Sequence, residues 1–197
     1  MANQVAARLA GDDYQHLLAW HQMLALRKAR AKVRAVIVED PDGAHVDDVT
    51  TLYESGANQP DVFEQVKYHT DQRGQYSTDF LLDKATPASR SLLEKFFITW
   101  KKLRASAHSG VVLRLTSNWS WDGTDEVREC IQGKDTALSP EFFTASARSK
   151  LGKVRDRWRK HLGAEPDEFE LFASTIRFPV GFDCFDEVAE RVAERMG

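Results

Sequence analysis

The stretch VRAVIVEDPDGAHVDDVTTLYESGANQPDVFEQVKY, residues 33–68, decides the fold. Three runs within it, 33–39, 46–53 and 62–68, are rich in Val, Thr and aromatic residues, and the segments between them, PDGA and SGANQPD, carry turn chemistry. They predict an antiparallel meander. Upstream, Asp12 and Asp13 are candidate caps for a helix whose apolar positions Tyr14, Leu17, Leu18 and Leu24 stay near one stripe through to about Arg30. Downstream, Leu92, Leu93, Phe96, Phe97, Trp100 and Leu103 mark a helix from about Ser89 to Arg104, and GVVLRLTSN (110–118) reads as a buried strand. A strand returning after a helix implies a crossover and so a mixed sheet. Beyond Asn118 the pattern reads as helices only, near 139–146, 147–162, 166–176 and 183–196. The order α-β-β-β-α-β predicts an α/β core over 1–118, a mixed sheet flanked by helices. Residues 119–197 form a helical extension packed on it, a single domain overall.

Composition removes several classes. Of 197 residues, 42% are hydrophobic and 29% charged, and no apolar run approaches the roughly 20 residues that span a bilayer. The opening MANQVAARLAGDD lacks the apolar segment of a secretion signal, so the cytoplasm is the expected compartment, without membrane attachment. Cys130 and Cys184 are the only cysteines, with no CxxC and no histidine at zinc-ligand spacing. Neither a dinucleotide fingerprint, nor a P-loop, nor a hydrolase elbow is present.

Strand alternation makes residues 63–67 informative. Phe63, Gln65 and Lys67 project from one face, Glu64 and Val66 from the other. On the preceding strand Asp47 and Asp48 take opposite faces, so one of them joins Gln65 and Lys67, and Asp48 is the choice. Neighbouring strands lie about 5 Å apart, which lets a carboxylate, an amide oxygen and an ammonium group converge on one ion and one phosphate. Mg²⁺ prefers oxygen ligands and takes one or two protein carboxylates, which Asp48 and Gln65 supply, with Glu39 at the end of the first strand as a further acid. Lys67 is then a point charge beside the attacking water and the phosphate. Mn²⁺ is the alternative ion.

Gly11, Tyr14 and Gln15 on the first helix, Glu39 closing a strand, Asp47-Asp48-Val49 on the next and Gln65-Val66-Lys67 on a third resemble the restriction-endonuclease-like superfamily, in the branch where QxK replaces ExK. The pattern is most similar to the double-stranded DNA endonuclease domain of CD-NTase-associated antiphage effectors, across nearly the whole chain. The resemblance implies magnesium-dependent cleavage of duplex DNA, with Asp48 as metal acid, Gln65 as metal-ligand amide and Lys67 as catalytic lysine. An amide replaces the usual second acid, so one negative charge is lost.

Plainer readings stand beside these. Gln15 follows Asp12 at capping-box spacing; Asp47 suits a solvated strand acid or the metal ligand in place of Asp48; Glu39 opens the polar turn Glu39–Gly43; and His69 lies just beyond the site as a supporting group. Between Arg148 and Lys160 seven bases face one acid, a local charge of +6 in a chain of net charge −3. Leu151, Val154, Trp158 and Leu162 form that helix's apolar stripe. This leaves Lys153, Arg155, Arg157, Arg159 and Lys160 either as a solvated face or as a track for DNA phosphates. A protein that binds nucleic acid through helix 147–162 without cutting it is the alternative function. Phe185, Val188, Val192 and Met196 give the last helix an apolar stripe. It suits packing on its own domain, a homo-oligomer, or a fused or associated sensor domain.

Overall fold

A computed structural model describes residues 2–27, 31–71, 74–106, 110–132, 136–180 and 185–196. Helix α1 (Ala2–Leu26) lies against the first strands of a sheet formed by β1 (Val33–Val38), β2 (Val49–Tyr53) and β3 (Asp61–Lys67). A short strand β4 (Gln75–Tyr76) and a one-turn helix α2 (Thr78–Leu82) precede α3 (Leu92–Leu103), which returns the chain to β5 (Val111–Ser117). Then come β6 (Ser120–Trp121), β7 (Ile131–Gln132), β8 (Ala137–Leu138), α4 (Pro140–Thr144), α5 (Lys150–Leu162), α6 (Pro166–Thr175), β9 (Ile176–Arg177) and α7 (Phe185–Met196). The main sheet has seven strands in the order β1-β2-β3-β5-β9-β8-β7, and β4 pairs with β6 alone.

The predicted meander and crossover are present: β1, β2 and β3 are antiparallel, while β5 runs parallel to β3. The architecture is α/β with a mixed sheet flanked by helices. Two expectations fail. The chain after Asn118 is not helical only, because β9 pairs parallel with β5 and carries β8 and β7 onto the same sheet. Strands of two residues are too short to print an alternating pattern in the sequence. Helix α1 also begins ten residues before the expected caps. Asp12 and Asp13 lie inside it, the alanine-rich segment upstream carries the helix through Gly11, and Arg8 pairs with Asp12 one turn later.

The sheet separates two apolar layers. Phe63, Leu113 and Leu115 face α3, α5 and α6 in a large core with Phe96, Phe97, Trp100, Trp158 and Phe172. Val49 and Val66 face the opposite way, onto Tyr14, Leu18 and Ala19 of α1. A capping box starts α3: the Ser91 hydroxyl accepts from Glu94 N–H, and the Glu94 carboxylate accepts from Ser91 N–H. Helix α7 lies against α1 with Val192 buried and Met196 55% exposed; the side chains of Phe185 and Val188 lie outside the described residues.

Candidate active site

The register of β2 and β3 pairs Val49 with Glu64 and Thr50 with Phe63, so the next position sets Asp48 opposite Gln65. Gln65 is buried and shares the α3-facing side with Phe63. Asp48 Oδ2 accepts from the Gln65 amide Nε2 and, at 2.7 Å, from Val66 N–H. Burial pushes the Asp48 carboxyl above its ordinary range against the pull of the Val66 N–H and the Lys67 ammonium, while Asp47 adds to the upward push. Lys67, at the end of β3, is exposed and makes no ion pair among the described residues. No described hydrogen bond falls on Asp48 Oδ1 or Gln65 Oε1.

Gln15 does not cap α1. Its Nε2 donates to the Asp48 main-chain oxygen at 3.1 Å and ties the helix to the turn that carries the carboxylate. That oxygen also accepts from Glu39 N–H at 3.2 Å, and Asp47 O accepts from Asp40 N–H at 2.8 Å. Glu39 itself is exposed with φ at +52°, which takes it out of strand alternation, and it is not among the charges that act on Asp48. The expected third ligand is thus not gathered in. Among the described residues no three His, Cys, Asp or Glu side chains are grouped to hold a metal ion. Asp47 is half-buried beside Gly43; a methyl group there would come within 3.0 Å of the Asp47 Cβ and 3.7 Å of the Phe63 ring. Strand alternation does not fix the side taken by Asp47, because regular pairing of β2 starts only at Val49.

Past Lys67 the chain is pinned to the end of β5. His69 N–H donates to Asn118 Oδ1, and Asn118 Nδ2 donates back to His69 O, each at 2.8 Å. The His69 ring stacks on Trp119 with centroids 3.5 Å apart, and its Nε2 lies 3.1 Å from the Tyr76 hydroxyl. Trp119 in turn donates to Asp71 O and covers Gly74 so closely that any side chain there would collide with the indole. Burial and the Lys67 charge hold the His69 pKa below its usual value, so the ring is neutral at pH 7.

On the basic helix α5, which the sequence leaves open between a solvated face and a phosphate track, the arginines are engaged within the fold. Arg155 Nη1 donates to Phe142 O and Phe143 O at 3.2 and 2.5 Å, Arg159 Nη1 donates to Ala164 O at 3.3 Å, and Arg157 pairs with Asp79 at 2.6 Å. Lys153 and Lys160 are exposed. Sequence reasoning missed a different group. Arg90, just before α3, donates to His45 Nε2 at 2.8 Å, and His45 N–H donates to Thr99 Oγ1 at 3.1 Å. Burial, Arg90 and Lys95 lower the His45 pKa, against Asp47. No local pattern announces it, because His45 and Arg90 are far apart in the chain.

Fold and site together define an α/β protein in which a carboxylate, an amide and a lysine meet at the adjoining ends of two central strands. No protein-family profile matches the chain. It is 26% identical over 179 residues to CD-NTase-associated protein 4 of Enterobacter hormaechei subsp. hoffmannii (strain UCI 50), a match covering 85% of this chain and 35% of that protein. The chain spans about a third of that relative's length, and the match supports a relationship to CD-NTase-associated proteins.

Proposed function

We propose that this chain is a metal-dependent endonuclease domain on a restriction-endonuclease-like core that hydrolyses duplex DNA as part of an antiphage defence effector. The observation that carries the reading is the convergence of Asp48, Gln65 and Lys67 at the ends of β2 and β3. The relationship to a CD-NTase-associated protein supports the defence context. Oxygen donors suit Mg²⁺, which retains several waters and needs few protein ligands; Asp48 Oδ1 and Gln65 Oε1 are the atoms to hold it. When bound, such an ion supplies Lewis-acid activation of the attacking water and of the phosphoryl oxygen.

The chain's own residues do the rest. Val66 N–H and the Gln65 amide fix the Asp48 carboxylate from behind, Gln15 and Glu39 N–H fix its backbone, and Lys67 presents a positive charge where negative charge grows on the attacked phosphate. Lys153 and Lys160 on α5 are exposed and available for phosphate contact. One site addresses one strand, so a double-strand break takes either a second copy or two successive nicks.

Digestion of supercoiled plasmid tests this. The protein with Mg²⁺ converts it to nicked and linear forms, while chelator or Lys67→Ala leaves it supercoiled. Absence of conversion with Mg²⁺ and with Mn²⁺ refutes the endonuclease; binding without cleavage then favours the non-cutting module.

A further inference from the structure

We propose that Arg90, held in place by His45 and flanked by Lys95, binds a backbone phosphate of duplex DNA adjacent to the phosphodiester presented to Asp48 and Lys67. The inference rests on the endonuclease reading and adds to it the contact that seats the duplex on the α3 side of the site. His45 stands three residues before Asp48; its backbone is fixed to Thr99 of α3 and its ring to Arg90, which adjoins the α3 cap residue Ser91. Thr99 is fully buried, so the anchor is rigid.

The chemistry of the Arg90 partner matters most. A guanidinium has no acceptor, so in the Arg90–His45 bond the imidazole Nε2 must accept, which requires a neutral ring. An arginine oriented by a neutral acceptor keeps its full charge, and its remaining N–H donors have the fork geometry that matches a phosphate. Arg157, by contrast, is oriented by the Asp79 carboxylate and neutralised by it. Arg90 is exposed, and neither Arg90 nor Lys95 makes an ion pair among the described residues. Both charges act on His45, as does Asp47, which also acts on Asp48. His45 is bonded to Arg90 and lies three residues before Asp48, which places the Arg90 guanidinium near the turn that carries the carboxylates, while Lys67 acts on Asp48 directly. Arg90, Lys95 and Lys67 are cations without an ion-pair partner among the described residues, in a chain of net charge −3.

The test is fluorescence anisotropy of a labelled 20-base-pair duplex with the whole chain, in chelator, across a range of salt concentrations. Arg90→Gln is expected to lower the log–log salt slope by about 0.9, the signature of one phosphate contact, and to weaken binding about 8-fold at 0.1 M salt. Lys32→Gln, an exposed lysine at the opposite end of β1, leaves the slope unchanged. His45→Ala weakens binding in the wild-type background and has no effect in the Arg90→Gln background, which a merely structural histidine would not do. Wild-type slope in Arg90→Gln overturns the proposal while plasmid cleavage by the wild type still stands. Loss on His45→Ala that persists without Arg90 overturns the positioning role. A wild-type chain that neither binds nor cuts duplex refutes the endonuclease reading, and this inference with it.

Discussion

The end of β3 and the helix α5 both concentrate polar side chains, and the fold treats them in opposite ways. At β3 the polar atoms are fastened on their inner side only. Asp48 uses Oδ2 for Gln65 and Val66, and Lys67 stands exposed without an ion pair among the described residues. On α5 the arginines are consumed by structure: Arg155 binds carbonyls of α4, Arg159 a carbonyl past the helix end, and Arg157 a carboxylate. A high density of charge in sequence is therefore a poor guide to which charges face a ligand. A bound partner needs cations whose hydrogen bonds and counter-charges are not already met within the fold.

Lys67→Ala and Arg155→Ala separate the two regions. Lys67→Ala is expected to lower cleavage by about 10²–10³-fold, the usual loss when one charge that stabilises a transition state is removed. Thermal stability should stay within ~0.5 kcal/mol of wild type, because the side chain is exposed. Arg155→Ala reverses the pattern. Two carbonyls in a half-buried setting lose a charged donor, which costs about 1.5–3 kcal/mol and lowers Tm by ~3–12 °C. The salt slope for duplex binding should not move. A stable Arg155→Ala chain with a reduced slope would make Arg155 a phosphate contact and not a structural donor.

Period-two alternation and hairpin register made the Gln65 side of the site readable, because both depend only on neighbours in the chain. Alternation narrows the carboxylate to Asp47 or Asp48, and it is the register of β2 with β3 that sets Asp48 opposite Gln65. Asp47 and Glu39 escaped them for one reason: both lie where regular strand geometry has stopped, Asp47 before β2 and Glu39 at a positive φ after β1. Gln15 was ambiguous because the cap spacing is met by residue type alone, and only the upstream extension of α1 shows that no helix start is there. The strands β7, β8 and β9 and the Arg90–His45 contact were illegible because each is created by tertiary packing between distant segments.

Asp48→Asn sharpens the contrast through its pH dependence. An asparagine keeps an oxygen to accept from Val66 N–H and from Gln65, so the geometry behind the site survives. What changes is the charge, and here the folded protein holds the carboxyl pKa above its ordinary value, chiefly through burial. Below the ordinary pKa the group is protonated in both folded and unfolded chains and contributes nothing. As pH rises, the unfolded chain ionises first, so wild-type stability falls until pH passes the folded pKa and then levels. Asp48→Asn should therefore match wild type at acid pH and exceed it in Tm at pH 7, while cleavage is lost. That combination, more stable and inactive, is what a carboxylate kept for chemistry predicts. A Tm that falls at pH 7 would make Asp48 a structural acceptor whose charge the fold requires, and would place the β3 end in the same category as α5.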